Sequence, residues 1–121
     1  MKTILVIEDN IGITKMLERQ FLRTSIPAKL MIVNNTSDGR NAFDQHKDDI
    51  IFIAMDGNLE DGGDIVQTTA LVKYFRSKAY NGVILAMSGD VRCQELLQKA
   101  GCDRKIKKGD VIHEAELICE K

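Results

Sequence analysis

Five short apolar runs punctuate this chain, and segments of helical period fill the gaps between them. The runs are TILVI (3–7), AKLMIV (28–33), IIFIAM (50–55), GVILAM (82–87) and the weaker DRKIK (103–107). The first, third and fourth are almost continuously apolar, as strands covered on both faces of a parallel sheet must be. Ile13, Met16, Leu17 and Phe21 share one face of a segment that starts near Asn10. Ser37 stands where it could cap a short helix carrying Ala42 and Phe43. Ile65, Thr69 and Val72 line a longer helix, with Asn81-Gly82 as its stop signal. Cys93, Leu96, Leu97 and Ala100 line another, closed by Gly101. Val111, Ile112, Ala115 and Ile118 line the last. A βα unit repeated five times predicts a doubly wound α/β sandwich with right-handed crossovers.

Composition narrows what such a sandwich does. With 121 residues and no Pro/Gly/Ser linker or repeat, the chain reads as a single domain, 1–121, with no output domain attached. Seventeen basic against 18 acidic side chains leave a net charge of −1, which argues against a nucleic-acid or membrane surface. Cys93, Cys102 and Cys119 form no CxxC pair and no Cys/His cluster, so zinc is not expected and reduced thiols are. The first apolar run is too short for a signal peptide or a membrane span. These features together predict a cytoplasmic protein.

Open parallel sheets bind ligands beyond the carboxyl ends of their strands. Here those ends carry Glu8-Asp9, Asp56, Ser88-Gly89-Asp90 and Lys107-Lys108-Gly109. Three carboxylates gathered on one rim repel unless a cation sits among them. A hard divalent ion suits such oxygen donors. A lysine and a hydroxyl beside them make a place for a phosphoryl group, with a carboxylate able to attack phosphorus. Alone, Asp56 would read as an ordinary turn residue, and Asp9-Asn10 as a helix cap. A one-residue slip in the last strand would exchange Lys107 for Lys108. His46 and His113 lack clustered partners and read as surface residues, and Gly62-Gly63 is no P-loop.

Four motifs at these strand ends, VIEDN (6–10), IIFIAMDGNL (50–59), ILAMSGD (84–90) and AGCDRKIKKG (100–109), resemble the receiver domains of two-component response regulators across essentially the whole chain. That resemblance implies a flavodoxin-like (βα)5 sandwich with strand order 2-1-3-4-5, and Asp56 as phosphoacceptor. It implies Mg²⁺, or Mn²⁺ in its place, held by Asp9, Asp56 and the backbone carbonyl of Asn58, with Glu8 acting through water. Ser88 matches the switch hydroxyl and Lys108 the charge-neutralising lysine. The side chains of Asn58 and Asp90 match positions that tune hydrolysis of the acyl phosphate. The implied partners are a sensor histidine kinase or phosphotransfer protein, and a downstream protein on the face of helix 4, strand 5 and helix 5. The implied chemistry is self-phosphorylation and autodephosphorylation at an aspartate rather than turnover.

Three positions depart from the family pattern. Glu60 replaces a proline after the acceptor, and with Gly62-Gly63 it predicts a looser, more acidic loop. Gly109 replaces the proline after Lys108, which favours a trans peptide and makes the lysine's reach an open matter. Lys105 stands where the family's switching aromatic ring does, and a lysine does not bury itself cheaply. These changes keep a second reading in play, a pseudo-receiver that binds partners without regulated phosphorylation. An aspartyl phosphatase is disfavoured because Asn58 occupies the position where such enzymes commonly hold a second acid.

Overall fold

In the computed structural model, which describes residues 2–59 and 62–120, the apolar runs form five parallel strands. They are β1 (Thr3–Ile7), β2 (Lys29–Val33), β3 (Ile50–Met55), β4 (Val83–Ala86) and β5 (Arg104–Lys105). Their order is β2-β1-β3-β4-β5, as expected. Burial explains why some runs are unbroken. β1 and most of β3 and β4 are buried, while edge strands β2 and β5 keep side chains in contact with water. The fifth strand shrinks from the expected 103–107 to two residues. Single hydrogen bonds from Asp103 N–H to Ile84 and from Ile106 N–H to Ala86 extend its pairing. Glu60 lies outside the described residues.

Five helices cover the sheet: α1 (Ile11–Leu22), α2 (Thr36–His46), α3 (Ile65–Ser77), α4 (Val91–Ala100) and α5 (Val111–Cys119). Alternation along the strands splits the core into two layers. Leu5, Ile7, Ile53, Met55 and Ile84 pack with Phe43, Leu71, Val72, Phe75 and Leu97 of α2, α3 and α4. Ile4, Val6, Phe52, Ala54 and Leu85 pack with Leu17 of α1 and with Val111, Ile112 and Ala115 of α5. Among the described residues, no helix is long and apolar enough to cross a membrane.

One helix cap and one helix stripe differ from expectation. Asn35, not Ser37, caps α2: its backbone is extended and its side chain accepts the Asp38 N–H at 2.7 Å. Ser37 lies inside the first turn, where its hydroxyl is too late to cap. Helix α3 turns Thr68, Leu71, Val72 and Phe75 inward, so Thr69 falls outside the expected stripe and bonds its own helix at the Ile65 carbonyl. This helix stops at Ser77, ahead of Asn81-Gly82, with Ala79 in the left-handed region at φ 63°. Gly101 closes α4 as expected, at φ 138°.

Candidate functional site

Strand register assembles the acids. Ile7 pairs with Met55, and Met55 with Ala86. The sheet's hydrogen bonding runs one residue further: Glu8 N–H donates to Val33, Asp56 N–H to Ile7 and Met87 N–H to Met55. Glu8 and Asp56 are therefore lateral neighbours. Residues two apart on a strand share a face. Glu8 follows Val6 and Asp56 follows Ala54, so both carboxylates lie on the α1/α5 side. The segment leading into α5 enters there.

That segment carries Lys108. Its Nζ donates to Glu8 Oε1 at 2.7 Å and to Asp56 Oδ2 at 3.0 Å. Lys107 is exposed, which decides between the two lysines. The described residues contain no cis peptide, and Lys108 reaches the carboxylates with a glycine behind it. Glu8 is 0% exposed and Asp56 6%, so this ion cluster sits under the rim rather than on it. Carboxylate oxygens of Glu8, Asp9 and Asp56 lie within 4.8 Å of one another.

Such a donor set fits a divalent cation. Glu8 Oε2 is buried without a hydrogen-bond partner among the described residues, an oxygen that a metal or a metal-bound water would satisfy. Asn10 caps α1 by accepting the Ile13 N–H at 3.0 Å, so of the Asp9-Asn10 pair the cap falls on Asn10. Asn58 is exposed, and its N–H points at Asp56 Oδ1 at 3.3 Å.

Ser88 is buried at the end of β4. Its hydroxyl accepts the Asp90 N–H at 3.2 Å, and its carbonyl accepts from the Gln94 side chain. Asp90 is exposed and caps α4, accepting the Arg92 N–H at 2.8 Å. Lys105 is exposed on β5, on one wall of a groove of about 990 Å³ between α4, β5 and α5 that reaches Ser88 and Lys108. Three neighbours went unread in the sequence. Gln94 braces Ser88. The Cys93 thiol lies near Ser88 and is raised by burial, then by Asp90. Thr68 is fully buried against Gly57. A polar residue inside an apolar helical stripe was the one available signal for Thr68.

Electrostatics singles out Glu8. Burial, then the neighbouring Asp56, lift its carboxyl from 4.5 to about 7, against the pull of Lys108. Burial lowers the Lys108 ammonium, but the two carboxylates outweigh this and raise it. The metal-free fold thus favours protonated Glu8. That contribution is complete below pH 4.5 and is lost as pH rises through 7. At about 1.4 kcal/mol per unit, it amounts to at most about 3–4 kcal/mol. Urea titrations in chelator should show wild type losing stability between pH 5 and 8 relative to Glu8→Gln. Parallel pH profiles would contradict the assignment.

No family model matches this sequence, and no curated protein does. Solved structures do share the fold. The receiver domain of Francisella response regulator 1452 superposes with a TM-score of 0.76 at 13% identity, covering 99% of this chain and 98% of that one. The signal receiver domain of a DNA-binding response regulator (merR) from Colwellia psychrerythraea 34H gives 0.76 at 19% identity, covering 99% and 97%. The Mn²⁺-bound form of response regulator Rcp1 gives 0.66 at 16% identity, covering 99% and 91%. The chain has the fold of response regulator receiver domains.

Proposed function

We propose that this chain is a signalling receiver that takes a phosphoryl group from a phosphohistidine onto Asp56. One observation carries the reading: Lys108 bridges Glu8 and Asp56 at the foot of a three-carboxylate cluster. Asp56 presents one oxygen to Lys108 and the other to the Asn58 N–H. In the transfer, an Asp56 oxygen forms the O–P bond as the P–N bond of the donor breaks, and the imidazole nitrogen keeps the electron pair. Lys108 offsets the charge on the phosphoryl oxygens. Asp9, Asp56 and the Asn58 carbonyl would hold Mg²⁺ or Mn²⁺, with Glu8 reaching it through water. Bound there, the ion would supply further neutralisation of those oxygens. Ser88 is the donor that would turn toward the new group, with Asn58 and Asp90 flanking the path of hydrolytic water. A sensor kinase or phosphotransfer protein is the expected donor. The groove between α4, β5 and α5, with Val91 63% exposed at its edge, is the expected face for a downstream protein.

The test is direct. With Mg²⁺ and acetyl phosphate, intact mass should rise by one phosphoryl group, stable in acid and lost in base. Asp56→Asn should abolish the adduct, and Asp9→Asn should weaken Mg²⁺ binding by tenfold or more. An unlabelled wild type, or a labelled Asp56→Asn, would sink the reading. Exposed Lys105 favours a second reading, a partner-binding pseudo-receiver, because no aromatic ring stands at that position to turn inward. Labelling that leaves the α4–β5–α5 amides unmoved by NMR would support this alternative.

A further inference from the structure

The residue after Asp56 is held from the far side by α3, a helix whose inward face packs the core. Gly57 sits where a Cβ would meet Leu97 at 3.0 Å, Cys93 at 3.1 Å and Ile65 at 3.2 Å. It is boxed between α3 and α4. Its carbonyl points into that box and accepts the Thr68 hydroxyl at 2.7 Å. Thr68 is 0% exposed. Its hydroxyl also lies 3.2 Å from the Ile65 carbonyl of its own helix. A hydroxyl has one proton, and the shorter contact takes it.

A trans peptide is planar, with C=O and N–H on opposite sides. Fixing the Gly57 carbonyl therefore fixes where the Asn58 N–H points. It points at Asp56 Oδ1, 3.3 Å away. Thr68 thus sets the face that the 57–58 peptide shows to the Asp56 carboxylate. Gly57 cannot be steered by a side chain of its own, and Asn58 is exposed. The neighbouring Thr69 has the same hydroxyl one position along. It spends it within the helix, at 2.7 Å from the Ile65 carbonyl.

We propose that Thr68 is a positioning residue for phosphoryl transfer at Asp56, acting by clamping the Gly57–Asn58 peptide with its N–H turned to the reacting carboxylate. This rests on the reading of Asp56 as phosphoacceptor. Without the clamp, the peptide is free to rotate away from its buried acceptor. An N–H donor to the carboxylate and to the developing acyl phosphate is then lost, and the Asn58 carbonyl shifts with it.

Thr68→Val, Thr68→Ser and Thr69→Val separate this role from helix stability. Initial rates of acetyl phosphate labelling should fall about tenfold in Thr68→Val, while Thr68→Ser and Thr69→Val stay within about twofold of wild type. Mg²⁺ affinity should follow the same order. The Asn58 amide resonance of the unphosphorylated, metal-free protein should move in Thr68→Val and not in the other two. Equal losses in Thr68→Val and Thr69→Val, or a Thr68→Val that labels at the wild-type rate, overturn the proposal. A wild type that accepts no phosphoryl group sinks the reading of Asp56. The amide arm then decides the clamp by itself, and an unmoved Asn58 resonance rejects it.

Discussion

Lys108→Ala should slow acetyl phosphate labelling of Asp56 by roughly a hundredfold, the scale of losing one charged donor to a reacting oxyanion. The lysine is the one cation within hydrogen-bond reach of Asp56 among the described residues, at 3.0 Å. It is 27% exposed, close enough to solvent to serve an incoming group yet shielded enough for its charge to count. Lys108→Arg should recover little. The ammonium fits between two carboxylates at 2.7 and 3.0 Å, whereas a planar guanidinium is longer and presents its donors as a fork. A second effect follows from the same geometry. Without Lys108, the buried Glu8 and Asp56 carboxylates lose their counter-charge, and ionising both becomes costlier. Metal-free Lys108→Ala should therefore lose more stability at pH 8 than at pH 5, and Mg²⁺ should restore part of it. Labelling within threefold of wild type would remove Lys108 from the reaction.

Much of this site was legible in the sequence because sheet geometry does the assembling. A run that ends in Glu8 and another that ends in Asp56 must meet if their strands are neighbours, and β1 and β3 are. The alternation of runs pointed to the doubly wound class, while the strand order that makes β1 and β3 neighbours came only with the family resemblance. What stayed hidden belongs to tertiary contact. β5 is an exposed two-residue edge strand, so its sequence has no apolar alternation to set the register between Lys107 and Lys108. The NNTSDG segment offers several capping residues, and only its extended backbone at Asn35 selects one. Helix α3 ends at Ser77, and Ala79 just beyond it is left-handed. Arg76, which bonds the carbonyls of Tyr80, Gly82 and Gly101, ties down the segment that follows. Thr68 left only its place in an apolar stripe as a signal, because its partner, Gly57 C=O, is backbone.

The Gly62-Gly63 pair packs against the start of α2. Two glycines after Asp56 read as a looser loop, and the carbonyl of each accepts a backbone hydrogen bond. Thr36 N–H donates to Gly62 O at 2.9 Å, and Leu59 N–H donates to Gly63 O at 2.9 Å. The first bond satisfies an N–H that the start of α2 leaves without a helical partner. A Cβ on Gly62 would lie 2.1 Å from the Asn34 carbonyl oxygen and 2.9 Å from the Asn35 Cα. Those atoms are backbone and cannot swing aside as a side-chain tip can. Gly62→Ala should then push the loop off α2, break the Thr36 bond and disturb the Asn35 cap. The expected cost is about 2–4 kcal/mol, read as a drop of about 10 °C or more in Tm. Gly89→Ala and Gly109→Ala meet nothing within 4 Å and should stay within about 0.5 kcal/mol of wild type. If Gly62 were instead a hinge kept for freedom, alanine would restrict the unfolded chain and leave stability unchanged or raised. The sign of that one measurement tells a close backbone contact from a flexible loop. It also bears on Asp56, since the loop that would be displaced is the one that follows this residue.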